Sequence, residues 1–258
     1  MEELTKKLLR DVFGESSDSD EGDQSELPLY QSVPEVASSV SISCKSTSWE
    51  RIEEVNGLWL CKDFLSPQQQ LSLLSAIGNE GWFTDASHNQ AMRFGDLPSW
   101  AIELSNSICE MASAGNYDSE TGDFATVNHN DAACVLPSHL LWRKPLFDQL
   151  IVNLYQPGEG ICAHVDLLRF EDGIAIVSLE SSCVMHFSRV EENEGEVLPT
   201  SKLPVYLNPG SLVIMWGDAR YLWKHEINRS RGCQVCEGKE IDQKKRTSIT
   251  LRKLRHTK

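Results

Sequence analysis

The sequence predicts an α+β protein: a β-sandwich or jelly roll braced by N-terminal helices. Two observations carry this. Two stretches with helical periodicity come first, and many short strand-like segments separated by turns come after. A third sets the scale. The chain has 258 residues with 40% hydrophobic composition, enough for one moderate core plus a solvated end.

Residues 1–46 read as a separate N-terminal segment and 47–258 as the folded domain. The run from Glu15 to Asp23 is acidic, serine-rich and without apolar residues, so nothing in it can bury and disorder is expected. Ahead of it Leu4, Leu8, Leu9, Val12 and Phe13 fall at helical spacing. That pattern fits a short helix docking on a protein partner, or one fraying on the domain's own surface.

The first strand is expected over 57–64. Ser66-Pro67 then supplies an N-cap with proline at the first helical position. The helix should run over 67–81 with Leu71, Leu74 and Ile77 inward. A less regular stretch is expected over 82–100. A second helix fits 98–114, with Leu104, Ile108 and Met111 inward, and 115–146 reads as polar loop. Strand candidates follow at 150–155, 174–179, 183–188, 203–207, 211–216 and 246–253.

Net charge is −14 at pH 7, which argues against a broadly basic nucleic-acid binder. Lys and Arg concentrate after Arg220, so a local basic face remains compatible. The 8 cysteines are scattered apart from Cys233 and Cys236, and no secretory signal opens the chain. Reduced thiols in cytoplasm or nucleus are expected, as is a monomer without a membrane span. A single Cys-X-X-Cys is half a zinc site; reduced loop cysteines are the simpler reading.

The chemistry sits in the strand-rich half. His164-Val165-Asp166 would put two metal-binding side chains on one side of an extended strand, since side chains alternate. His225, in the extended stretch 220–227, supplies a third ligand from elsewhere. Two histidines and one carboxylate on one face of a metal leave positions open for oxygen and a co-substrate, as a mononuclear iron oxygenase requires. Arg246, Ser248, Thr250 and Arg252 share one face of the last strand, opposite Ile249 and Leu251. Arginines on an apolar strand need anionic partners. These are either Asp and Glu side chains or a dicarboxylate, which the guanidinium fork matches. Asn153 and Tyr155 share a strand face and can add hydrogen bonds to such a ligand.

These segments together resemble the AlkB-type dioxygenases. The resemblance rests on Asn153-Leu154-Tyr155-Gln156-Pro157-Gly158, on His164-Val165-Asp166, and on Val177-Ser178-Leu179 followed by Val184-Met185-His186-Phe187. It continues through Asn208-Pro209-Gly210 to Trp216-Gly217, Arg220-Tyr221 and His225, and ends on Arg246 and Arg252. It spans about residues 50–255. It implies a double-stranded β-helix with Fe(II) held by His164, Asp166 and His225. It further implies 2-oxoglutarate held by Asn153, Tyr155, Arg246 and Arg252, with molecular oxygen as the oxidant. Arg246 would meet the distal carboxylate and Arg252 the metal-proximal end. Ser248 stands where many members carry Asn.

The implied reaction is oxidation of a substrate C–H bond, which at an N-methyl group yields formaldehyde and a demethylated nitrogen. An RNA or DNA base is the expected substrate. A protein side chain, or an inactive fold acting as an adaptor, are the alternatives. Trp82, Phe83, Met92, Arg93, Phe94 and Trp100 lie where substrate choice resides in the family. Trp82 and Trp100 read as packing; Arg93 and Phe94 read equally as packing or substrate contact. Trp223 reads equally as cavity wall or core.

Overall fold

The computed structural model describes residues 48–116, 134–190, 202–228, 230 and 234–255. The amphipathic stretch 4–13, the acidic run and Cys233 lie outside the described residues, as does most of the loop expected over 115–146.

The elements begin with β1 (Trp49–Arg51), β2 (Leu58–Cys61), α1 (Pro67–Asn79), β3 (Gln90–Phe94), α2 (Ser99–Gly115) and the short α3 (Ser138–Leu141). The strand-rich half holds β4 (Gln149–Tyr155), β5 (Ile161–His164), β6 (Ile174–Leu179), β7 (Cys183–Arg189), β8 (Leu203–Leu207) and β9 (Leu212–Met215). A one-turn helix, α4 (Asp218–Tyr221), precedes β10 (Trp223–Ile227), and β11 (Val235–Cys236), β12 (Lys239–Glu240) and β13 (Arg246–Arg252) complete the series. A seven-stranded sheet runs β1-β2-β9-β6-β13-β4-β3, and a four-stranded sheet runs β5-β10-β7-β8. Every pairing within them is antiparallel. Two antiparallel sheets stacked in this way form a jelly-roll core.

The large sheet is buried on both faces, which is why β6 and β13 carry no exposed residue. One face meets the helices: Leu73, Ile77, Leu104, Ile108 and Met111 join Val152, Val177, Ile249 and Leu251 in one cluster. The other face meets the small sheet through Ile174, Ile176, Val213 and Met215 against Met185, Phe187, Val205 and Ile227. Each fully buried side chain of this size contributes roughly 1.5–3 kcal/mol.

Helix α1 starts where its cap dictates. Ser66 accepts from the Gln69 amide at 3.3 Å, and the Gln69 side chain accepts from the Ser66 amide at 2.9 Å. This is a reciprocal capping box. The helix ends at Asn79, short of Gly81, and its inward face differs from expectation. Leu73 and Ile77 are buried, whereas Leu71 is 61% exposed. Leucines at 71, 73 and 74 span too wide an arc to face one core, and the Leu73–Ile77 pair, four residues apart, wins. Helix α2 buries Leu104, Ile108 and Met111.

Two further differences bear on the site. Strand β3 lies inside the stretch expected to be irregular and forms the sheet's edge against β4, with Gln90 opposite Asn153 and Phe94 opposite Gln149. The region 220–227 is not extended throughout: α4 occupies its start, and the strand begins at Trp223. At the turn into β9, Gly210 has φ +85°, and a Cβ there would approach the Leu65 carbonyl oxygen to 2.5 Å. That same turn hydrogen-bonds the segment leading into α1, Leu65 donating to Gly210 O at 2.9 Å.

Candidate metal and co-substrate site

Antiparallel pairing of β5 with β10 sets His164 directly opposite His225. The rings lie 4.3 Å apart, centroid to centroid. Asp166 joins them, but not along a strand as the His-X-Asp alternation suggested. Strand β5 ends at His164, and Asp166 stands on the irregular segment just beyond. The chain turns there to bring the carboxylate inward, and ligand atoms of His164, Asp166 and His225 all come within 4.8 Å of one another. Among the described residues this is the one such His/Cys/Asp/Glu group.

The donor set suits a divalent metal. The His164 Nδ1 lies 2.9 Å from the Cys162 carbonyl oxygen. A carbonyl only accepts, so Nδ1 carries a proton and Nε2 is the nitrogen left to face a metal. His225 is buried, and burial, with His164 adding to it, lowers its pKa to about 3, so the ring is neutral at physiological pH and keeps a nitrogen lone pair for a metal. Burial alone would raise the Asp166 pKa. Arg252, His225, His164 and Arg220 outweigh it and hold the carboxyl below its ordinary value. One Asp166 oxygen pairs with the Arg252 guanidinium. The other, Oδ2, is buried without a hydrogen-bond partner among the described residues, 3.8 Å from His225 Nε2. A buried carboxylate oxygen without a donor is costly, and a cation between it and the two imidazoles would satisfy it.

Behind this triad lies a cavity enclosing about 370 Å³ of empty space, part of it open to solvent. Its walls include Asn153, Tyr155, His164, His225, Arg246, Ser248, Thr250 and Arg252. The register explains the grouping. On β13, Arg246, Ser248, Thr250 and Arg252 oppose Tyr155, Asn153, Ile151 and Gln149 of β4. Alternation then points one set of side chains to the cavity and the other to the helices. Arg246 donates through Nε to Ser178 Oγ at 2.9 Å and stacks its guanidinium 5.4 Å from the Tyr155 ring. Its Nη2 is buried and has no partner among the described residues. Arg252 pairs with Asp166 and leaves Nε likewise without one. The two readings of these arginines thus divide: Arg252 has an acidic side chain as partner, whereas Arg246 has a hydroxyl.

Sequence reasoning passed over several residues here. Gln90, on the unforeseen edge strand, donates to Asn153 Oδ1 at 2.6 Å and so fixes a side chain of the cavity wall. Ser178 fixes Arg246. Arg169 lies between two rings, 5.4 Å from Phe94 and 5.3 Å from Phe170, and Arg252 lies 4.8 Å from the other partner of that stack, Phe170. No local pattern signals these contacts, which join residues distant in sequence. Trp82 and Trp100 pack together 6.1 Å apart, with Arg93 over Trp82 at 4.4 Å, so Arg93 covers the cluster. Phe94 remains 39% exposed. Trp223 packs against the cluster between the sheets and is not among the cavity walls.

With this geometry in place, comparison with known proteins defines the class. Residues 57–252 match the 2OG-Fe(II) oxygenase superfamily, and the chain belongs to that superfamily. Within it the protein is AlkB-like, a 2-oxoglutarate-dependent dioxygenase using Fe(II), 2-oxoglutarate and molecular oxygen. It is 31% identical over 217 residues to the tRNA (carboxymethyluridine(34)-5-O)-methyltransferase alkbh8 of Xenopus tropicalis, covering 78% of this chain and 32% of that protein. It is 27% identical over 229 residues to the Alkylated DNA repair protein ALKBH8 homolog of Arabidopsis thaliana, covering 78% of this chain and 59% of the relative. An uncharacterized mimivirus protein, L905, is 28% identical over 209 residues, covering 81% of this chain and 90% of the viral one. The chain therefore spans about a third of the Xenopus relative's length and most of the viral protein's. The solved structure of OsALKBH1 superposes with a TM-score of 0.50 at 16% identity, covering 76% of this chain and 98% of that one, which shows the shared fold. No helix among the described residues is long and apolar enough to cross a membrane.

Proposed function

We propose that this dioxygenase oxidises a base of RNA or DNA, removing an N-methyl group or hydroxylating the base. In this reading His164, Asp166 and His225 bind Fe(II), and Asn153, Tyr155, Arg246 and Arg252 hold 2-oxoglutarate. The observation that carries the site is a set of buried polar atoms without partners among the described residues: Arg246 Nη2 and Arg252 Nε, from residues of the cavity wall, and Asp166 Oδ2 beside His225 of that wall. Arg246, held through its other edge by Ser178, faces the distal carboxylate. Arg252 pairs with Asp166 through one nitrogen and turns Nε toward the metal-proximal end of the co-substrate.

When bound there, iron and 2-oxoglutarate supply oxygen activation, the co-substrate leaving as succinate and carbon dioxide. The residues of the chain do the rest. His164 presents Nε2 because the Cys162 carbonyl fixes its tautomer. Arg252 keeps Asp166 ionised and aimed inward. Ile176, Met185 and Ile227 line the cavity with apolar surface and exclude water from the reacting centre.

The nucleic-acid substrate is supported by the names of the relatives, a tRNA modifier and a DNA repair protein, and by surface chemistry. Phe94 and Arg169 together offer a ring for base stacking and a cation for phosphate. The second reading, a protein side chain, is favoured by the net charge of −14, which opposes polyanion binding. Cys109, Cys162, Cys183 and Cys236 are reduced thiols, which fits a cytoplasmic or nuclear location.

The test is succinate formation with Fe(II) and 2-oxoglutarate in the presence of methylated RNA and DNA oligonucleotides, with formaldehyde and product bases followed by mass spectrometry. Stimulation by a methylated oligonucleotide is expected. Stimulation by peptides alone would favour the second reading.

A further inference from the structure

The metal carboxylate stands outside any strand, so something must fix the segment that carries it. Residues 165–169 lie between the end of β5 and the Phe170 bridge to Leu254, where backbone carbonyls have no ladder to join. Arg220 is only 1% exposed, among the largest fully buried side chains. Its Nη1 donates to Asp166 O at 2.9 Å. Its Nη2 donates to Leu167 O at 2.7 Å and to Phe170 O at 3.3 Å. All three hydrogen bonds go to carbonyls and none to a carboxylate. A buried guanidinium used in this way is expensive to keep, and a merely stabilising core needs no such group.

We infer that Arg220 is a positioning residue for the metal site: its guanidinium fork locks the Asp166–Phe170 backbone to the segment that delivers His225, so that carboxylate and imidazole hold their spacing before a metal arrives. Arg220 sits on α4, five residues ahead of His225, so one side chain ties two ligand-bearing segments together. A second tie closes the same ring. The Asp172 carboxylate accepts from the Gly217 amide at 3.0 Å, at the start of α4, and from the Gly173 amide at 2.8 Å. Arg143 holds the far end of the loop from the helix side, donating to the Asp172 and Gly173 carbonyls, but does not reach Asp166. Arg143 is thus an internal control: a half-buried arginine bonded to the same loop, away from the ligand. The inference rests on the proposed metal ligands and goes beyond them, since it concerns what presets their geometry.

The experiment titrates metal-free protein with Co(II), followed by visible absorption, for wild type, Arg220→Lys, Arg220→Met and Arg143→Lys. Lysine keeps the charge but cannot fork to three carbonyls at once. Losses of metal affinity on removing supports of metal ligands run about 10- to 100-fold. Arg220→Met is expected at the upper end and Arg220→Lys at the lower. Arg143→Lys should lower the melting temperature with Co(II) affinity within about 3-fold of wild type, well below that range. Failure of wild type to bind Co(II) would remove the proposed metal site itself. Wild-type binding matched by a folded Arg220→Lys protein would leave the metal site intact and overturn the role of Arg220. If both Arg220 variants fail to fold, hydrogen exchange on metal-free wild type decides. Slow exchange of the Phe170 amide, which donates to the Leu167 carbonyl that Arg220 also holds, supports a preset loop, and exchange at open-loop rates refutes it.

Discussion

The two faces of strand β13 are equally buried and chemically opposite. Toward the helices stand Ile249 and Leu251, both at 0% exposure within the larger apolar cluster. Toward the cavity stand Arg246 and Arg252, at 4% and 9%. The first face is complete in itself: every contact it needs comes from the chain. The second keeps guanidinium nitrogens without partners among the described residues. Equal burial therefore has two meanings. An apolar side chain without water is satisfied by packing, whereas a cation without water needs an acceptor for each N–H it presents. The unsatisfied face is the one built around something that binds.

Substitutions on the two faces should separate function from stability, and the largest effect belongs to the metal end. Asp166→Ala or His225→Ala is expected to abolish succinate formation, a loss of about 10³-fold or more if the metal is no longer held. Near-normal turnover by either variant under controlled metal loading would break the assignment. Next, Arg246→Ala should raise the KM for 2-oxoglutarate. Loss of a charge-assisted contact of roughly 1.5–3 kcal/mol corresponds to about 10- to 150-fold, with a smaller fall in kcat. An unchanged KM would mean that the cavity face resembles the helix face after all.

On that other face, Ile249→Ala should lower unfolding free energy by about 2–5 kcal/mol while KM for 2-oxoglutarate stays near wild type, measured by denaturant titration and steady-state kinetics. Arg246→Met should lose far less stability than Ile249→Ala, because a buried cation without its ligand contributes little to the free protein. The same contrast recurs within α1. Leu73→Ala should cost about 2–5 kcal/mol, and Leu71→Ala on the exposed face under about 0.5 kcal/mol. The smallest structural effect is expected at Phe94→Ala. It should leave stability within about 0.5 kcal/mol yet weaken binding of single-stranded oligonucleotides, by roughly 1–3 kcal/mol if a base stacks there. Unaltered oligonucleotide affinity would move the substrate contact elsewhere.

How much of this was legible beforehand differs from residue to residue for a physical reason. Helix α1 began where Ser66 and Pro67 said it would, because capping is local. Strands β6 and β8 matched their expected bounds, because continuous apolar or turn-bounded runs are local too. Strand β3 was not readable: Gln90-Ala91-Met92-Arg93-Phe94 has no β-branched residue, and only pairing with β4 makes it a strand. Leu71 was misplaced because three nearby leucines compete for one face, and the competition is settled by what lies opposite. Asp166 was read as a strand residue on the same face as His164; it lies past the strand, and its inward turn depends on Arg220, 54 residues away.

The sequence by itself determined most of the elements and the roster of the proposed site: two histidines, an aspartate and a pair of arginines in the order of the family, with periodicity setting the facing of the arginines. Tertiary structure alone decided which polar atoms were left without partners. It also decided that Arg252 joins Asp166 whereas Arg246 rests on Ser178, that Gln90 reaches Asn153, and that Arg220 holds the metal carboxylate's loop. Periodicity is a property of neighbouring residues, so a sequence carries it. Satisfaction of a buried charge depends on which distant atoms the fold brings within hydrogen-bond reach, and that is settled only when the sheets close.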